Sequence, residues 1–503
     1  MESEHERARA PVEAIEDDAA RDGVFSSRWG LILAALGMAI GTGNLWRFPR
    51  IVATHGGGTF FIPWLIFLAS WSIPLLIVES AMGKAARRGT VGTFARLAGP
   101  RWTWRGAFVG FCAMAIGFYY SVVAGWCLKY FLVALGGGFR TRAPLEIWSD
   151  LAASPGQQVL FHFLALSLSL SIVVRGSSGI ERANRILIPS LFAILVIAAV
   201  RAVTLPGATD GLAFLFSFDV AALADYKVWL AGLSQSAWST GAGAGLIMTF
   251  SAYARRDQNV VFSSVMTGLG NNTASLLAAI AVIPTVFALL PAAEALATVS
   301  TEGPASTGMT FISMPELLQS MSFGTVFFVP IFFLALSFAA ISSMIAVLEL
   351  GVRNFVDFGL PRTKAVIIVG GCTFVFGLPS ALSASFFANQ DWVWGLGLSV
   401  SGFFIAMAAR RIGPKTLVDE WINSAPGWRV GRKFSFVVMW LIPIQLFVLL
   451  GWWLYQSIAG DPDGWWNPLS PTSFGTAVGQ WGVALVIFFG LNSLLNRYQQ
   501  VES

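Results

Sequence analysis

LILAALGMAIGTGNLWRFPRIVATHGGGTFFIP, residues 31–63, begins as an apolar segment that suits a membrane helix. Gly37, Gly41, Gly43 and Asn44 lie within eight residues of its middle, and each is a weak helix former; glycine alone costs about 1 kcal/mol in a helix interior. The pattern predicts that a membrane helix is interrupted here. Because unpaired backbone groups at membrane depth are tolerated only where they are buried in protein or line a cavity, we expect the interruption to form half of an ion and solute site.

The composition is that of a membrane protein with many spans. The chain has 503 residues, of which 55% are hydrophobic and 12% are charged, and its mean hydropathy is +0.68. These values exclude a soluble protein. The sequence contains no recognisable metal-ligand cluster, nucleotide-binding loop or nucleophile–base arrangement, so it predicts neither an enzyme nor a nucleic-acid-binding protein.

Apolar runs of about 20 residues are long enough to cross the lipid bilayer as helices. We predict twelve such spans, at 28–53, 58–83, 103–134, 158–175, 183–203, 228–253, 259–290, 322–350, 363–380, 389–409, 434–456 and 476–496. Arginine and lysine crowd the loops that follow the even-numbered spans, for example at Arg87 and Arg88 and at Arg255 and Arg256. By the positive-inside rule these loops and both chain termini are cytoplasmic.

A second interruption is predicted in span six. Residues 234–245 read SQSAWSTGAGAG and place Gly241, Gly243 and Gly245 in mid-span. If spans one to five and six to ten form two repeats, the interruptions occupy equivalent places, and because five is odd the repeats have opposite orientations. Paired broken segments of this kind are the best sequence indicator of a transporter's binding site.

The predicted fold is therefore an all-α polytopic membrane protein with twelve transmembrane helices, a 5+5 inverted repeat, and broken helices one and six. The predicted segments are a cytoplasmic tail (1–24), a first five-helix repeat (25–203), an extracellular loop (204–227), a second, inverted repeat (228–410), helices eleven and twelve (411–497) and a cytoplasmic tail (498–503).

The polar residues around the interruptions suit a small cation and a carboxylate. Asn44, Ser239, Thr240 and Asn271, with unwound carbonyl groups, would form an oxygen cage for an alkali ion, and the exposed N–H groups of a half-helix would bind a carboxylate. Ordinary hydrogen bonds and small-residue contacts between helices are the alternative interpretation. In span eight, Ser342 and Ser343 either bond back to their own helix or join the carbonyls of span one.

Other features leave alternatives open. Arg47, Glu79 and Asp391 lie close to apolar runs, where a charge is usually functional or paired, although Glu79 and Asp391 would also fit simple snorkelling at the membrane interface. Tyr119 and Tyr120 in span three need hydrogen-bond partners if they are buried, and a bound carboxylate would supply one. The loop 291–320 is either a lid over the outer mouth or a plain connector.

Several stretches together resemble the neurotransmitter:sodium symporters, a family of sodium-coupled amino-acid and amine transporters. They are GMAIGTGNLWRFPRIVATHGGGTFFIPW at 37–64, IPLLIVESAMGK at 73–84, the tyrosine pair of span three, GIERANRILIP at 179–189, RAVTLPGATDGLAFLF at 201–216 and the broken span six. The similarity covers residues 25–410. It implies sodium-driven import of an amino acid by alternating access between two repeats.

The resemblance implies two sodium sites. One would use the backbone of Ala39 with the side chains of Asn44, Ser239 and Asn271, completed by the substrate carboxylate. The other would use the carbonyls of Gly37, Ile40 and Ala339 with the hydroxyls of Ser342 and Ser343.

The implied substrate site draws on spans one, three, six and eight. Its residues are Met38, Ala39, Gly41, Thr42, Gly43, Ile116, Tyr120, Trp238, Ser239, Gly241, Ala244, Ser343 and Val347. Monoamine transporters of the family carry an aspartate where this chain has Gly41, so the resemblance favours an α-amino acid. Gly241 and Ala244 replace larger residues of some relatives, so we expect a preference for bulky apolar or aromatic amino acids.

The implied gates lie on either side of this site. Arg47 with Asp391 resembles the outer gate, closed below by Tyr120 and by Trp238, which stands where the family usually has phenylalanine. Asp357, with Tyr253 and Glu349, resembles the inner gate, and Arg21 is its implied partner.

Chloride is also implied. Chloride-independent relatives carry an acid in span seven, whereas this chain has Ser275 there and no acid from 259 to 293. The implied chloride ligands are Trp64, Gln235, Ser239, Asn271 and Ser275, with Trp64 in place of the usual tyrosine. The resemblance thus gives two sodium ions and chloride as bound ions.

The segment 136–156 is short and lacks cysteine, unlike the long disulfide-bonded loop of animal members, which indicates a prokaryotic type and a bacterial inner membrane. Two other functions stay open: a proton-coupled amino-acid carrier of the same superfamily, and a non-transporting membrane sensor or accessory subunit. The sequence leaves open which amino acid binds, the ion stoichiometry and the oligomeric state.

Overall fold

The computed structural model describes residues 23–300 and 308–500, and these residues form helices and connecting turns without a β-strand. The helices are Arg28–Ala39, Thr42–Thr54, Gly57–Ala86, Thr90–Leu97, Pro100–Leu135, Gly138–Arg140, Pro144–Ala152, Pro155–Val173, Gly176–Val203, Ala208–Leu215, Ala221–Ala224, Tyr226–Ser239, Leu246–Ser251, Val260–Leu289, Ala292–Val299, Gly308–Ser313, Met314–Ser320, Gly324–Asp357, Arg362–Leu382, Ala384–Ile412, Thr416–Ile422, Lys433–Gly460, Phe474–Gly490 and Asn492–Gln500. The all-α membrane fold predicted from the sequence is confirmed.

Within the described ranges, nine continuous helices are long and apolar enough to cross a membrane, and one bent helix pair makes a tenth. The remaining two predicted spans are present as shorter helices. Span six consists of Tyr226–Ser239 and Leu246–Ser251, and span twelve ends at Gly490 instead of continuing to 496. The count of twelve therefore stays a prediction, although every predicted span coincides with helical structure.

Span one is broken where its glycines predict. Arg28–Ala39 and Thr42–Thr54 meet at an angle of 54°. Between them, Ile40 (φ −82°, ψ 92°) and Gly41 (φ −102°, ψ −178°) are extended. Any residue can adopt these angles, so Gly41 is not needed for the backbone conformation. Its lack of a side chain lets Tyr120 and Ser343 lie close to the backbone, because an added Cβ would be 3.3 Å from both the Tyr120 hydroxyl and Ser343 Oγ.

Span six is broken for a different reason. Gly241, Gly243 and Gly245 have φ values of 63°, 94° and 76°, in the left-handed region that glycine enters without steric penalty. Three such residues in alternate positions rule out a continuous helix. The unwound segment from Thr240 to Gly245 therefore exposes backbone N–H and carbonyl groups in the middle of the bundle.

The outer end of the bundle, the end that carries the loops 204–225 and 461–473, is partly covered by the segment 308–320. Phe311 of this segment is fully buried and packs against Trp126, Tyr130 and Trp148. It also contacts Trp46 of the second half of span one. This part of the predicted lid or connector is thus a packed element next to the broken helix.

Candidate functional site

A cavity of ≈ 800 Å³ lies between the two broken helices and opens toward the outer end. All residues of the predicted substrate site lie on its wall. From there the wall continues upward past Arg47 and Asp391 to Lys227, Trp452 and Thr472. The structure therefore brings the predicted residues of spans one, three, six and eight to one place and leaves that place accessible from the outer side.

Tyr120 contacts the start of the second half of span one. Its hydroxyl oxygen accepts hydrogen bonds from the backbone N–H of Thr42 and from Thr42 Oγ1, both at 3.1 Å. Neither contact uses the hydrogen of the Tyr120 hydroxyl, which can be donated to another acceptor. A helix N-terminus with a hydroxyl donor beside it is an arrangement that suits a carboxylate.

A cluster of buried amides joins spans one, six and seven. Asn44 Oδ1 accepts from the N–H of Gly41 at 2.9 Å, which fixes Asn44 Nδ2 as the atom facing span seven. That nitrogen donates to Asn271 Oδ1 and to Ser275 Oγ, each at 2.8 Å, and more weakly to Ser239 Oγ at 3.3 Å. The Gly41 N–H thus sets the orientation of both asparagines.

This orientation has a chemical consequence. Asn271 Oδ1 lies 3.0 Å from the main-chain oxygen of Ser239 and 3.1 Å from that of Ala39. Three oxygen atoms meet there with no hydrogen between them. Rotating the Asn271 amide by 180° would separate the oxygens but would place its nitrogen 2.8 Å from Asn44 Nδ2. Asn44 cannot rotate in turn without losing the hydrogen bond that its oxygen accepts from the Gly41 N–H. With the Asn271 amide unrotated, a cation among the three oxygens would remove their repulsion, and neutral oxygens are ligands that suit a hard alkali ion.

Asn44 uses both ends of its amide in this geometry. Its side-chain oxygen is already bonded to the Gly41 N–H, and it is the nitrogen that reaches Asn271 and Ser275. Asn44 therefore orients the oxygen of Asn271, and only its remaining lone pair is available to an ion.

The second predicted sodium set also comes together. Ser343 Oγ donates to the carbonyl of Gly37 at 3.3 Å, across the gap between spans eight and one. Ser342 Oγ donates to the carbonyl of Ala339 at 3.0 Å within its own helix. Ser342 therefore bonds back to its own helix, whereas Ser343 contacts a carbonyl of span one. Residues from both sides of the predicted site are within hydrogen-bonding distance.

Glu79 has a part that the sequence did not reveal. Its side chain is fully buried, so snorkelling at the interface is wrong for this residue. The carboxylate accepts from the N–H of Gly243 at 2.5 Å and from the N–H of Gly245 at 2.8 Å. On the opposite side, Ser401 donates to the Gly243 carbonyl at 2.6 Å. Glu79 and Ser401 thus satisfy the backbone groups that the break in span six leaves unpaired.

The predicted outer gate residues Arg47 and Asp391 lie on the wall of the same cavity but, within the part of the chain that the structure describes, are not in contact as an ion pair. Instead the Arg47 guanidinium lies 4.0 Å from the centre of the Trp238 ring. Asp391 lines the cavity rather than the membrane interface.

The predicted inner gate residues are buried in a closed polar network. Asp357 pairs with Arg353 at 2.9 Å and accepts from the N–H of Gly89 at 2.6 Å. Glu349 accepts from the Tyr253 hydroxyl and is paired with Arg362. Arg21 lies outside the described residues. The cavity therefore opens past Arg47 and Asp391, whereas the predicted inner gate residues are held in ion pairs and hydrogen bonds.

Arg362 was missed by sequence reasoning, although a signal was present. Glu349 lies inside a membrane helix, where an acid needs a positively charged partner. Arg362 at the start of the next helix is within reach and also donates to the carbonyl of Val173 at 2.6 Å. Searching for the cation that Glu349 requires would have pointed to it.

The predicted chloride ligands include two buried polar atoms in need of partners. Trp64 Nε1 and Gln235 Oε1 are buried and have no hydrogen-bond partner among the described residues. Ser275 Oγ accepts from Asn44 at 2.8 Å, so its own hydrogen can point elsewhere. An indole N–H and a hydroxyl are both kinds of donor that bind an anion such as chloride.

Comparison with known proteins gives consistent matches over most of the chain. The sequence model of the Sodium:neurotransmitter symporter family matches residues 22–140 and 139–496. An uncharacterized sodium-dependent transporter of Methanocaldococcus jannaschii is 33% identical over 359 residues, which are 69% of this chain and 72% of that protein. The sodium-dependent serotonin transporter of Drosophila melanogaster is 26% identical over 496 residues, which are 86% of this chain and 77% of that protein.

A solved structure is similar in fold. The crystal structure of MhsT in complex with L-phenylalanine has a TM-score of 0.74 and 30% sequence identity, and the match covers 85% of this chain and 99% of MhsT. The paired breaks in spans one and six, the cavity between them and these matches agree. The chain belongs to the sodium:neurotransmitter symporter family.

Proposed function

We propose that the protein imports a bulky apolar or aromatic amino acid together with sodium, by alternating access around the cavity between spans one and six. The membrane is the bacterial inner membrane, with both termini cytoplasmic. Two sodium ions bind, one at the oxygens of Ala39, Ser239 and Asn271 and one between Gly37 and the Ser342–Ser343 pair. Chloride binds as a third ion beside Ser275.

The meeting of three oxygens at Asn271 carries this proposal. Asn271 Oδ1 lies 3.0 Å and 3.1 Å from two main-chain oxygens, beside the helix start where Tyr120 is hydrogen-bonded to Thr42. A cation site and a carboxylate site are thereby adjacent. An amino acid whose carboxylate contacts the sodium ion binds more tightly when sodium is present, and sodium binds more tightly when the amino acid is present.

An amino acid fits the cavity better than an amine. Gly41 offers no carboxylate to a cationic ligand, and the space beside it is limited by Tyr120 and Ser343, each 3.3 Å from an added Cβ. Gly241 and Ala244 contribute little bulk to the wall on the opposite side. MhsT was crystallised with L-phenylalanine, which supports a large apolar side chain for the substrate of this chain.

The substrate preference can be tested by competition. Unlabelled amino acids should reduce uptake of labelled phenylalanine most when their side chains are large and apolar: tryptophan, phenylalanine and leucine before alanine and glycine. The physical reason is the additional apolar area buried, worth about 25 cal/mol per Å². Preference for glycine or alanine over leucine and tryptophan would contradict this part of the proposal.

Chloride dependence gives a separate prediction. Replacing chloride by gluconate should reduce uptake, because no acidic side chain lies near Asn271 in span seven to balance the sodium charge. Ser275→Glu places a carboxylate beside Asn44 and should make uptake independent of chloride. Glutamine has the same size as glutamate but no charge, so uptake by Ser275→Gln should still depend on chloride. Equal uptake by the parent protein in chloride and in gluconate would reject chloride as a bound ion.

The proposed function as a whole is tested by uptake into proteoliposomes with an imposed sodium gradient. We expect accumulation of an amino acid when sodium is outside and none when potassium replaces it. A proton-coupled carrier would instead accumulate its substrate without sodium when a pH gradient is imposed. A sensor or accessory subunit would bind the amino acid with no flux under either gradient.

A further inference from the structure

The indole ring of Trp238 lies where a side chain at Gly395 would be. A Cβ added to Gly395 would collide with three carbons of the six-membered ring, with Cζ3 at 2.7 Å. Gly395 thus forms a notch in span ten, and the Trp238 ring fills it. The indole Nε1 is buried and has no hydrogen-bond partner among the described residues, so steric fit holds the ring here.

Arg47 covers the face of the Trp238 ring. The guanidinium carbon lies 4.0 Å from the ring centre, within the range of a cation–π contact, for which tryptophan is the best aromatic partner. Arg47 Nε is buried and makes no hydrogen bond to the described part of the chain. One indole therefore joins spans one, six and ten at the mouth of the cavity.

Gly395, which forms the notch, and Asp391, the predicted gate residue, lie on the same side of span ten. Asp391 and Gly395 are four residues apart on the helix Ala384–Ile412, and residues at this spacing lie above one another on one helix face. Trp238 seated at Gly395 holds Arg47 over its ring, and in this arrangement Arg47 is not paired with Asp391. To pair with Asp391, Arg47 would have to move from its place over the ring.

We propose that Gly395 is a positioning residue of the outer gate: its missing side chain provides the notch that holds Trp238, stacked under Arg47, in the outward-open state. The inference rests on the proposed function, because it assigns a state in an alternating-access cycle. It concerns the position of Trp238 and Arg47, so it can be tested without a substrate.

The test measures access to the cavity from outside. Ile116 lies on the cavity wall, and a cysteine there is reached only while the mouth is open. Cys112 and Cys127 are buried, and Cys372 is half-buried. Cys372 is therefore replaced by serine, and Ile116→Cys is introduced into this background as the reactive cysteine. A membrane-impermeant methanethiosulfonate is added in sodium without amino acid, and the labelling rate is measured for each variant.

We expect Gly395→Ala to slow labelling by about tenfold, in line with the effect of overpacking a filled site. Trp238→Phe should slow it by about threefold, because the smaller ring contacts both the notch and Arg47 less well. The double variant Trp238→Phe, Gly395→Ala should label like Trp238→Phe alone, since the phenyl ring no longer reaches the added methyl group.

Gly402→Ala is the matched control, because it adds a methyl group to the same helix with its nearest neighbour at 3.5 Å; it should label like the parent protein. Parent-like labelling of Gly395→Ala would overturn the proposal. So would a double variant as slow as Gly395→Ala, since the glycine would then act through helix packing and not through Trp238. Labelling is measured without any transport assay, so failure of this inference and failure of sodium-driven transport are distinguishable.

Discussion

Replacing Asn271 by leucine should raise the sodium concentration for half-maximal uptake by at least about tenfold, because a contact to a charged group contributes about 1.5–3 kcal/mol. Asn271 Oδ1 is the side-chain oxygen that faces the main-chain oxygens of Ala39 and Ser239. Leucine also leaves Asn44 Nδ2 without its contact to that oxygen. Uptake at low sodium should be close to background.

Two further variants make this prediction specific. Asn271→Asp keeps an oxygen at the same position and should keep sodium binding. Thr273→Val on the same helix removes an exposed hydroxyl that bonds back to Leu269 and should leave the sodium dependence unchanged. An unaltered half-maximal sodium concentration in the leucine variant would mean that the ion binds elsewhere.

Glu79→Gln should reduce uptake by at least about tenfold, because one buried N–H group loses its acceptor, a loss that costs about 1–3 kcal/mol. The carboxylate accepts from both Gly243 and Gly245. Glutamine offers one oxygen and turns an NH2 group toward the other N–H. The unwound segment, which carries Gly241 and Ala244 on the cavity wall, would lose its fixed position, and the melting temperature of the purified protein should fall as well.

The controls for Glu79 come from its neighbours. Ser80→Ala removes a buried hydroxyl of the same helix that contacts Ser264 at 3.3 Å, and should behave like the parent protein. Ser401→Ala removes a hydrogen bond to the Gly243 carbonyl and should have an intermediate effect. Full uptake and unchanged melting of Glu79→Gln would show that the unwound segment does not depend on this carboxylate.

Both breaks were predictable from clustered glycines, and for span six the cause is local. Gly241, Gly243 and Gly245 adopt left-handed angles, and glycines clustered within an apolar segment are typical of an interrupted membrane helix. The predicted substrate residues also converge on one cavity, since most of them lie on or beside the breaks. The sequence was most informative where backbone chemistry and side-chain chemistry occur in one short stretch.

The contacts that hold the site together were less predictable because they are long-range. Glu79 and Gly243 are 164 residues apart in the chain, and nothing near Glu79 indicates that its partners are backbone N–H groups of another span. The orientation of Asn44 depends on Gly41, a contact visible only once the helix is seen to break. The helix of span twelve ends at Gly490 and a second helix begins at Asn492, a break that composition did not indicate.

The proposed binding of sodium and an amino acid next to each other at the two broken helices is tested most directly by ligand affinity. The affinity of the purified protein for labelled phenylalanine is measured in sodium and in potassium at equal ionic strength. We expect an affinity at least about tenfold higher in sodium, within the usual range of coupling between two sites. Equal affinity in the two salts would contradict the account.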